Sequence, residues 1–182
     1  MICIEIAKQP TPLGVVVIAT RGPLVVALGF IEQWPVLRAQ LGESATFVDR
    51  DSLAPSLSLA LHRYFCGELD AFDGIEVDPE GTQFQRKVWA ALRGIAPGTT
   101  SSYAAIAATV GSPRAVRAVG SANGRNPISL VIPCHRVIGS DGALRGYAGG
   151  VERKRWLLRH EGASAAGLQR AVSEDATVFP WS

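Results

Sequence analysis

The apolar pattern of this 182-residue chain changes its period once, near residue 81, and that change limits the folds open to it. Ahead of residue 81, residues 2–6 alternate apolar and other side chains. Runs at 15–19 and 24–28 follow, separated by Pro10-Thr11-Pro12-Leu13-Gly14 and by Arg21-Gly22-Pro23. Short β-prone runs between turn residues predict a small antiparallel sheet. Residues 35–41 predict a short helix with proline near its start. Residues 56–65 predict a longer one, with Leu57, Ala60, Leu61 and Tyr64 on one face and a stop near Gly67. The acidic stretch 70–81 reads as a linker.

Beyond it the period is helical. Thr82, with Gln85 three residues later, matches a capping box. Phe84, Val88, Leu92 and Ile95 then recur on one helical face until Pro97-Gly98. Ser101 or Ser102 caps a short helix to about Thr109. Val110-Gly111-Ser112-Pro113 turns the chain, and a second helix is expected over 114–122. Two short helices around such a turn make a helix-turn-helix candidate. Residues 128–132 read as a short buried strand, Asp141-Gly142 as a hairpin-type turn, and 151–159 as a last helix ended by Gly162. The expected fold is α+β. A small N-terminal antiparallel sheet domain with helices (1–80, linker included) precedes a mostly helical C-terminal domain (81–162), and 163–182 form a flexible tail.

Charge divides the chain at the same place. Residues 1–80 carry 5 Lys/Arg and 11 Asp/Glu, whereas residues 81–162 carry 12 and 3. A basic half of this kind is the footprint of a nucleic-acid binder or of a solvated surface with no partner. No apolar run approaches the roughly 18 residues that span a bilayer. The first ten residues, with Glu5 ahead of Lys8, do not read as a signal peptide, so the cytoplasm is the expected compartment. Cys3, Cys66 and Cys134 are odd in number and lack CxxC spacing, which argues against a disulfide framework and against a zinc site of cysteine pairs.

Cys134 is followed by His135, and Glu161 lies far along the chain. Together they offer a nucleophile, a base and an orienting acid. The same residue types also suit an inert buried thiol. The surrounding residues go further. Asn126-Pro127-Ile128-Ser129-Leu130-Val131-Ile132-Pro133-Cys134-His135-Arg136-Val137-Ile138-Gly139 closely resembles the active-site signature of the O6-alkylguanine-DNA alkyltransferases. The resemblance extends through Gly146-Tyr147-Ala148-Gly149-Gly150 and Trp156-Leu157-Leu158-Arg159-His160-Glu161-Gly162. Upstream it includes Thr82-Gln83-Phe84-Gln85, Ser102-Tyr103 and residues 114–123. It covers 82–162 well and 1–80 loosely.

The resemblance implies an irreversible, stoichiometric transfer of an alkyl group from O6 of guanine (and O4 of thymine) in double-stranded DNA to Cys134. On the family's pattern His135 helps deprotonate Cys134 through a water, and Glu161 holds His135. Asn126 braces the turn beside the cysteine, and Tyr103 protonates the departing guanine. Val137, Tyr147, Ala148 and Gly149 line the substrate site. Arg117 fills the gap left by a flipped nucleotide, and Arg114, Ala115, Ser121 and Ala122 complete the DNA-facing set. No cofactor is implied, and a monomer is expected. No zinc is expected, because only Cys3 and His62 stand near places that match the zinc site of vertebrate relatives. The basic run Arg153, Lys154, Arg155 and Arg159 reads as a solvated face, with phosphate contact as the lesser alternative. The rival readings are a Cys-His hydrolase and a helix-turn-helix regulator without chemistry.

Overall fold

The computed structural model describes residues 2–42, 44–52 and 54–164. Strands β1 (Ile2–Thr11), β2 (Gly14–Arg21) and β3 (Leu24–Phe30) form an antiparallel meander. Helix α1 (Trp34–Gln40) then leads to β4 (Ala45–Asp49), which pairs parallel to β1 and gives the order β3-β2-β1-β4. The expected break at Pro10 is displaced, for β1 continues to Thr11 and turns at Pro12-Leu13. Pairing with β4 ends at Ile6, so the later part of β1 is an edge, where a missing N–H is tolerated.

The sheet is covered on both faces, which accounts for the unbroken apolar runs in β2 and β3. Ile4, Ala19, Val26 and Ala27 pack under Leu37 and Leu41 of α1 and its C-cap. Val16, Ile18, Leu28 and Phe30 face the larger core. That core continues through α2 (Pro55–Phe65), whose buried residues are the expected Leu57, Ala60, Leu61 and Tyr64, and on into the second half of the chain.

The second half is helical. Helix α3 (Gln83–Arg93) starts at the capping box: Gln85 N donates to Thr82 Oγ1 at 3.2 Å, and Thr82 N donates to Gln85 Oε1 at 2.8 Å. It buries Val88, Trp89 and Leu92 and ends at Gly94, ahead of Pro97. Strand β5 (Ser101–Ser102) precedes α4 (Tyr103–Thr109), which Ser102 caps. Helix α5 is Val116–Gly124, so it begins two residues later than its sequence suggested. A short β6 (Val137–Ile138) pairs parallel with β5. Helix α6 (Val151–His160) ends before Gly162, whose φ of 72° suits a residue without a Cβ.

The expected strand at 128–132 is instead a tight turn, bridged to the sheet only at Leu28 and Ile128. Two backbone bonds make that joint: Leu28 N to the Pro127 carbonyl (2.9 Å) and Ser129 N to the Leu28 carbonyl (2.7 Å). The sheet therefore supports the segment that leads to Cys134. The tail expected from residue 163 lies, from 165 onward, outside the described residues. Among the described residues no helix is long and apolar enough to cross a membrane.

Candidate active site

Asn126 organises the turn that carries Cys134. Its Nδ2 donates to the Ile132 carbonyl at 2.7 Å, and its Oδ1 accepts from Ile128 N at 3.0 Å. One buried amide thus ties both ends of a five-residue turn, at no cost in unpaired polar atoms. Leu130, inside that turn, has φ 70°. A left-handed leucine costs roughly 1–2 kcal/mol, so the surroundings must impose it. Cys134 N donates to the Ile132 carbonyl at 2.8 Å, and the chain closes into a single 3-10 turn over Cys134–Arg136. From α5, Asn123 Nδ2 donates to the Cys134 carbonyl at 3.5 Å.

All three residues of that turn are buried. Burial pushes the Cys134 thiol up, against a hydrogen bond from Asn126 and the nearby Lys154 ammonium, which pull it down. The His135 ring is fully buried, and its Nε2 lies 2.9 Å from Glu161 Oε1. A carboxylate only accepts, so Nε2 carries the proton and Nδ1 is left as the basic atom. Nδ1 is buried and has no hydrogen-bond partner among the described residues. Burial lowers the His135 pKa, with the Glu161 charge opposing it, and the ring is neutral at pH 7.

Glu161 is the hub. Oε1 accepts from His135 Nε2 (2.9 Å), Arg136 Nη2 (2.9 Å) and Tyr64 Oη (2.7 Å), and Oε2 accepts from Arg136 Nε (2.9 Å). Burial alone would raise the pKa of this carboxyl, but the donors from His135 and Arg136 outweigh it and hold the group well below the usual carboxylate range. Arg136 also donates to the Ile95 carbonyl. Sequence alone assigned no role to Arg136 or to the Tyr64 hydroxyl.

The pairing of β5 with β6 sets Ser101 opposite Val137 and brings the start of α4 beside the cysteine turn. Tyr103 opens α4, half-buried, and its hydroxyl donates to the Arg145 carbonyl at 3.2 Å. Burial and then the Cys134 thiolate raise its pKa, so it stays a proton donor. Val137 is fully buried; Tyr147 and Gly149 are buried and Ala148 is exposed. A Cβ on Gly149 would lie 2.6 Å from the Tyr147 ring and 2.9 Å from Phe30, so only glycine fits there. The 146–150 loop is held from α6. Arg153 donates to the carbonyls of Gly149 (3.2 Å) and Leu13 (2.9 Å), pairs with Glu32, and lies over the Phe30 ring.

The structure corrects the reading of the basic run. Lys154 has no exposed surface, and its Nζ donates to the carbonyls of Val137 (2.6 Å) and Arg145 (2.8 Å). Burial lowers its pKa to about 8. Arg153 is engaged as above and Arg155 pairs with Glu152; of the four, only Arg159 is exposed. Arg117 and Ser121 are exposed one turn apart on α5, and Arg114 is exposed just before it, with Ala115 partly covered. Ala122 does not share that face. It is 2% exposed, and its carbonyl accepts from Trp89 Nε1 at 2.9 Å. No three His, Cys, Asp or Glu side chains cluster to hold a metal among the described residues, and His62 lies beside Cys66 rather than Cys3.

Comparison with known proteins places this site. A methylated-DNA–protein-cysteine methyltransferase of Mycolicibacterium paratuberculosis is 43% identical over 165 residues, which cover 88% of this chain and 96% of the relative. The chain belongs to the methylated-DNA–protein-cysteine methyltransferase family. Residues 83–163 match the family model for the 6-O-methylguanine DNA methyltransferase DNA binding domain. The Salmonella typhimurium methyltransferase is 59% identical over 106 residues, 58% of this chain; the match spans only 62% of that relative's length. Among solved methyltransferase structures, Mycobacterium tuberculosis OGT in complex with DNA superposes with a TM-score of 0.76 at 39% identity, covering 87% of this chain and 92% of that one. The O6-methylguanine-DNA methyltransferase of Pyrococcus kodakaraensis superposes with a TM-score of 0.70 at 27% identity, covering 88% and 99%. The mixed α and β architecture agrees with these neighbours.

Proposed function

We propose that this protein repairs alkylated DNA by moving the alkyl group from O6 of guanine, and from O4 of thymine, onto Cys134, once per molecule. The observation that carries the reading is the buried Cys134–His135–Glu161 series, in which the His135 Nε2–H is fixed on a carboxylate and Nδ1 is left as the base. His135, through a water, takes the Cys134 proton. The thiolate attacks the alkyl carbon, a C–S bond forms as the C–O bond breaks, and the electron pair leaves with guanine. Tyr103 protonates the departing base on its minor-groove edge, which avoids an anion in a site of low dielectric. A thioether is not a leaving group, so the thiol is not regenerated.

The base must leave the stack to react. On this reading α4 and α5 act as a helix-turn-helix, α5 enters the minor groove, and Arg117 holds the gap of the flipped nucleotide. Arg114, Ala115 and Ser121 contact the DNA beside it; buried Ala122 supports α5 from behind, its carbonyl accepting from Trp89 Nε1. Val137, Tyr147, Ala148 and Gly149 form the wall that meets the guanine. Residues 1–80 are a supporting α/β domain with linker and 81–162 the DNA-binding and catalytic domain, as the charge division supports. A reactive thiol suits a reducing compartment, which favours the cytoplasm. The protein acts as a monomer and without a cofactor. The test is peptide mapping after exposure to duplex DNA containing O6-methylguanine. One methyl added on the peptide bearing Cys134 is the expected result; methylation elsewhere, or none, overturns the proposal.

A further inference from the structure

Tyr64 is the largest fully buried side chain among the described residues, yet the chemistry proposed above makes no use of it. It sits on the last turn of α2, in the half of the chain that the cysteine signature does not touch. Its hydroxyl donates to Glu161 Oε1 at 2.7 Å, the shortest of the four donors on that carboxylate. The other end of the residue is held by the same segment: His160 Nε2 donates to the Tyr64 carbonyl at 2.7 Å. His160 also stacks on Trp156 and packs edge-on against the Tyr64 ring. Two consecutive residues, His160 and Glu161, thus grip one tyrosine by its backbone and by its tip. Ring packing against Phe65 and Phe72 would be satisfied by phenylalanine; the hydroxyl contact would not.

Glu161 Oε1 is the atom that orients His135. A carboxylate can rotate about its terminal torsion, which is broad and soft in an isolated side chain. Arg136 fixes the plane by binding both oxygens. Tyr64 adds a donor to the oxygen that His135 uses, and it does so from a different element. It also draws charge from Oε1, so the carboxylate orients the imidazolium formed in the reaction without taking its proton.

We infer that Tyr64 is a positioning residue for the transfer, acting through Glu161 on His135, and that by this contact the N-terminal half takes part in the chemistry and not only in the fold. The inference rests on the alkyl-transfer reading and deepens it. Tyr64 touches neither Cys134 nor the base, so its removal should slow the chemical step and leave binding alone.

The experiment uses the full chain and Tyr64→Phe, with single-turnover alkylation by O6-methylguanine duplex and by O6-methylguanine free base. The burst amplitude reports the folded, competent fraction, so the rate constant is read independently of any loss of fold. The expected result is a first-order alkylation rate lowered about tenfold on both substrates, at unchanged amplitude, as for loss of a charge-assisted bond that aligns a catalytic group. The concentration giving half-maximal rate and the affinity for unmodified duplex should stay within about twofold, since no phosphate contact changes. A wild-type rate in Tyr64→Phe overturns the inference, as does a lowered amplitude at unchanged rate. Failure of the wild-type protein to gain alkyl mass at all overturns the parent reading instead, and the two failures are distinct.

Discussion

Replacing Glu161 with glutamine changes one oxygen to an amide nitrogen and removes one charge, and the structure sets the size of the effect. The carboxylate receives four donors, from Tyr64, His135 and twice from Arg136, and its side chain has no exposed surface. Arg136 is itself only 7% exposed. Glutamine leaves that guanidinium buried without a counter-charge and turns an NH2 group toward donors. Breaking one side of a buried pair costs about 3–5 kcal/mol. A domain of this size has about 5–15 kcal/mol in total, so the variant should retain its fold with a melting point lowered by roughly 6–20 °C. Replacing Arg136 by methionine in the same chain removes the orphaned charge. The double variant should therefore be less destabilised than the sum of the two single changes, by at least about 1 kcal/mol. Thermal and urea unfolding of the four proteins measures this cycle. Additive losses, or a melting point in Glu161→Gln within about 2 °C of the parent, would refute the view of Glu161 as the charge hub.

Three further outcomes follow from the same geometry. Cys134→Ser should abolish alkyl transfer and leave duplex affinity nearly intact, because a hydroxyl is not ionised at neutral pH and phosphate contacts supply the affinity; binding and mass measurements on one preparation check both. His135 has a pKa depressed by burial, so it is neutral at pH 7, and the transfer rate should hold steady from pH 7 down to the ordinary histidine value of about 6.5 and fall only below it. The sign for stability is the same: below about 6.5 the unfolded chain takes up the proton first, so this group weakens the fold progressively as pH drops toward the folded pKa. A rate that already falls between pH 7 and 6.5 would contradict a neutral His135; above pH 7 the Lys154 ammonium near Cys134 titrates as well, at about 8. Arg117→Ala should slow repair of duplex far more than reaction with the free base, since only the duplex opposes flipping, by a few kcal/mol of unstacking; equal slowing on both would remove the finger role.

How much of this was legible in the sequence depended on whether the signal was local. Helices α2 and α3 were readable because one face is apolar at helical spacing and an end carries Gly67 or the Thr82–Gln85 box. Strand β4 was not, because an edge strand with partly exposed Phe47 and Val48 and exposed Thr46 has no clean alternation. Residues 128–132 misled for the opposite reason. Every side chain there is buried, so a turn held by Asn126 has the same apolar run as a strand. Lys154 and Arg153 read as solvent-facing because charge is a local property, whereas the carbonyls of Val137, Arg145 and Leu13 that receive them come from distant segments. The Tyr64 hydroxyl was invisible in the same way, its partner lying 97 residues on. Residue types offered the Cys134–His135–Glu161 association, but only resemblance to a known pattern set it apart from an inert buried thiol, since nothing in the spacing of residues 135 and 161 brings them together.

The claim most exposed to a direct measurement is that the protein is consumed by its own reaction. Duplex carrying O6-methylguanine, in tenfold excess over protein and with no added thiol-regenerating system, should lose one methylguanine per protein molecule and then stop, while the intact mass of the whole population rises by a single methyl. Continued repair past one equivalent, or full repair with the protein mass unchanged, would contradict the account.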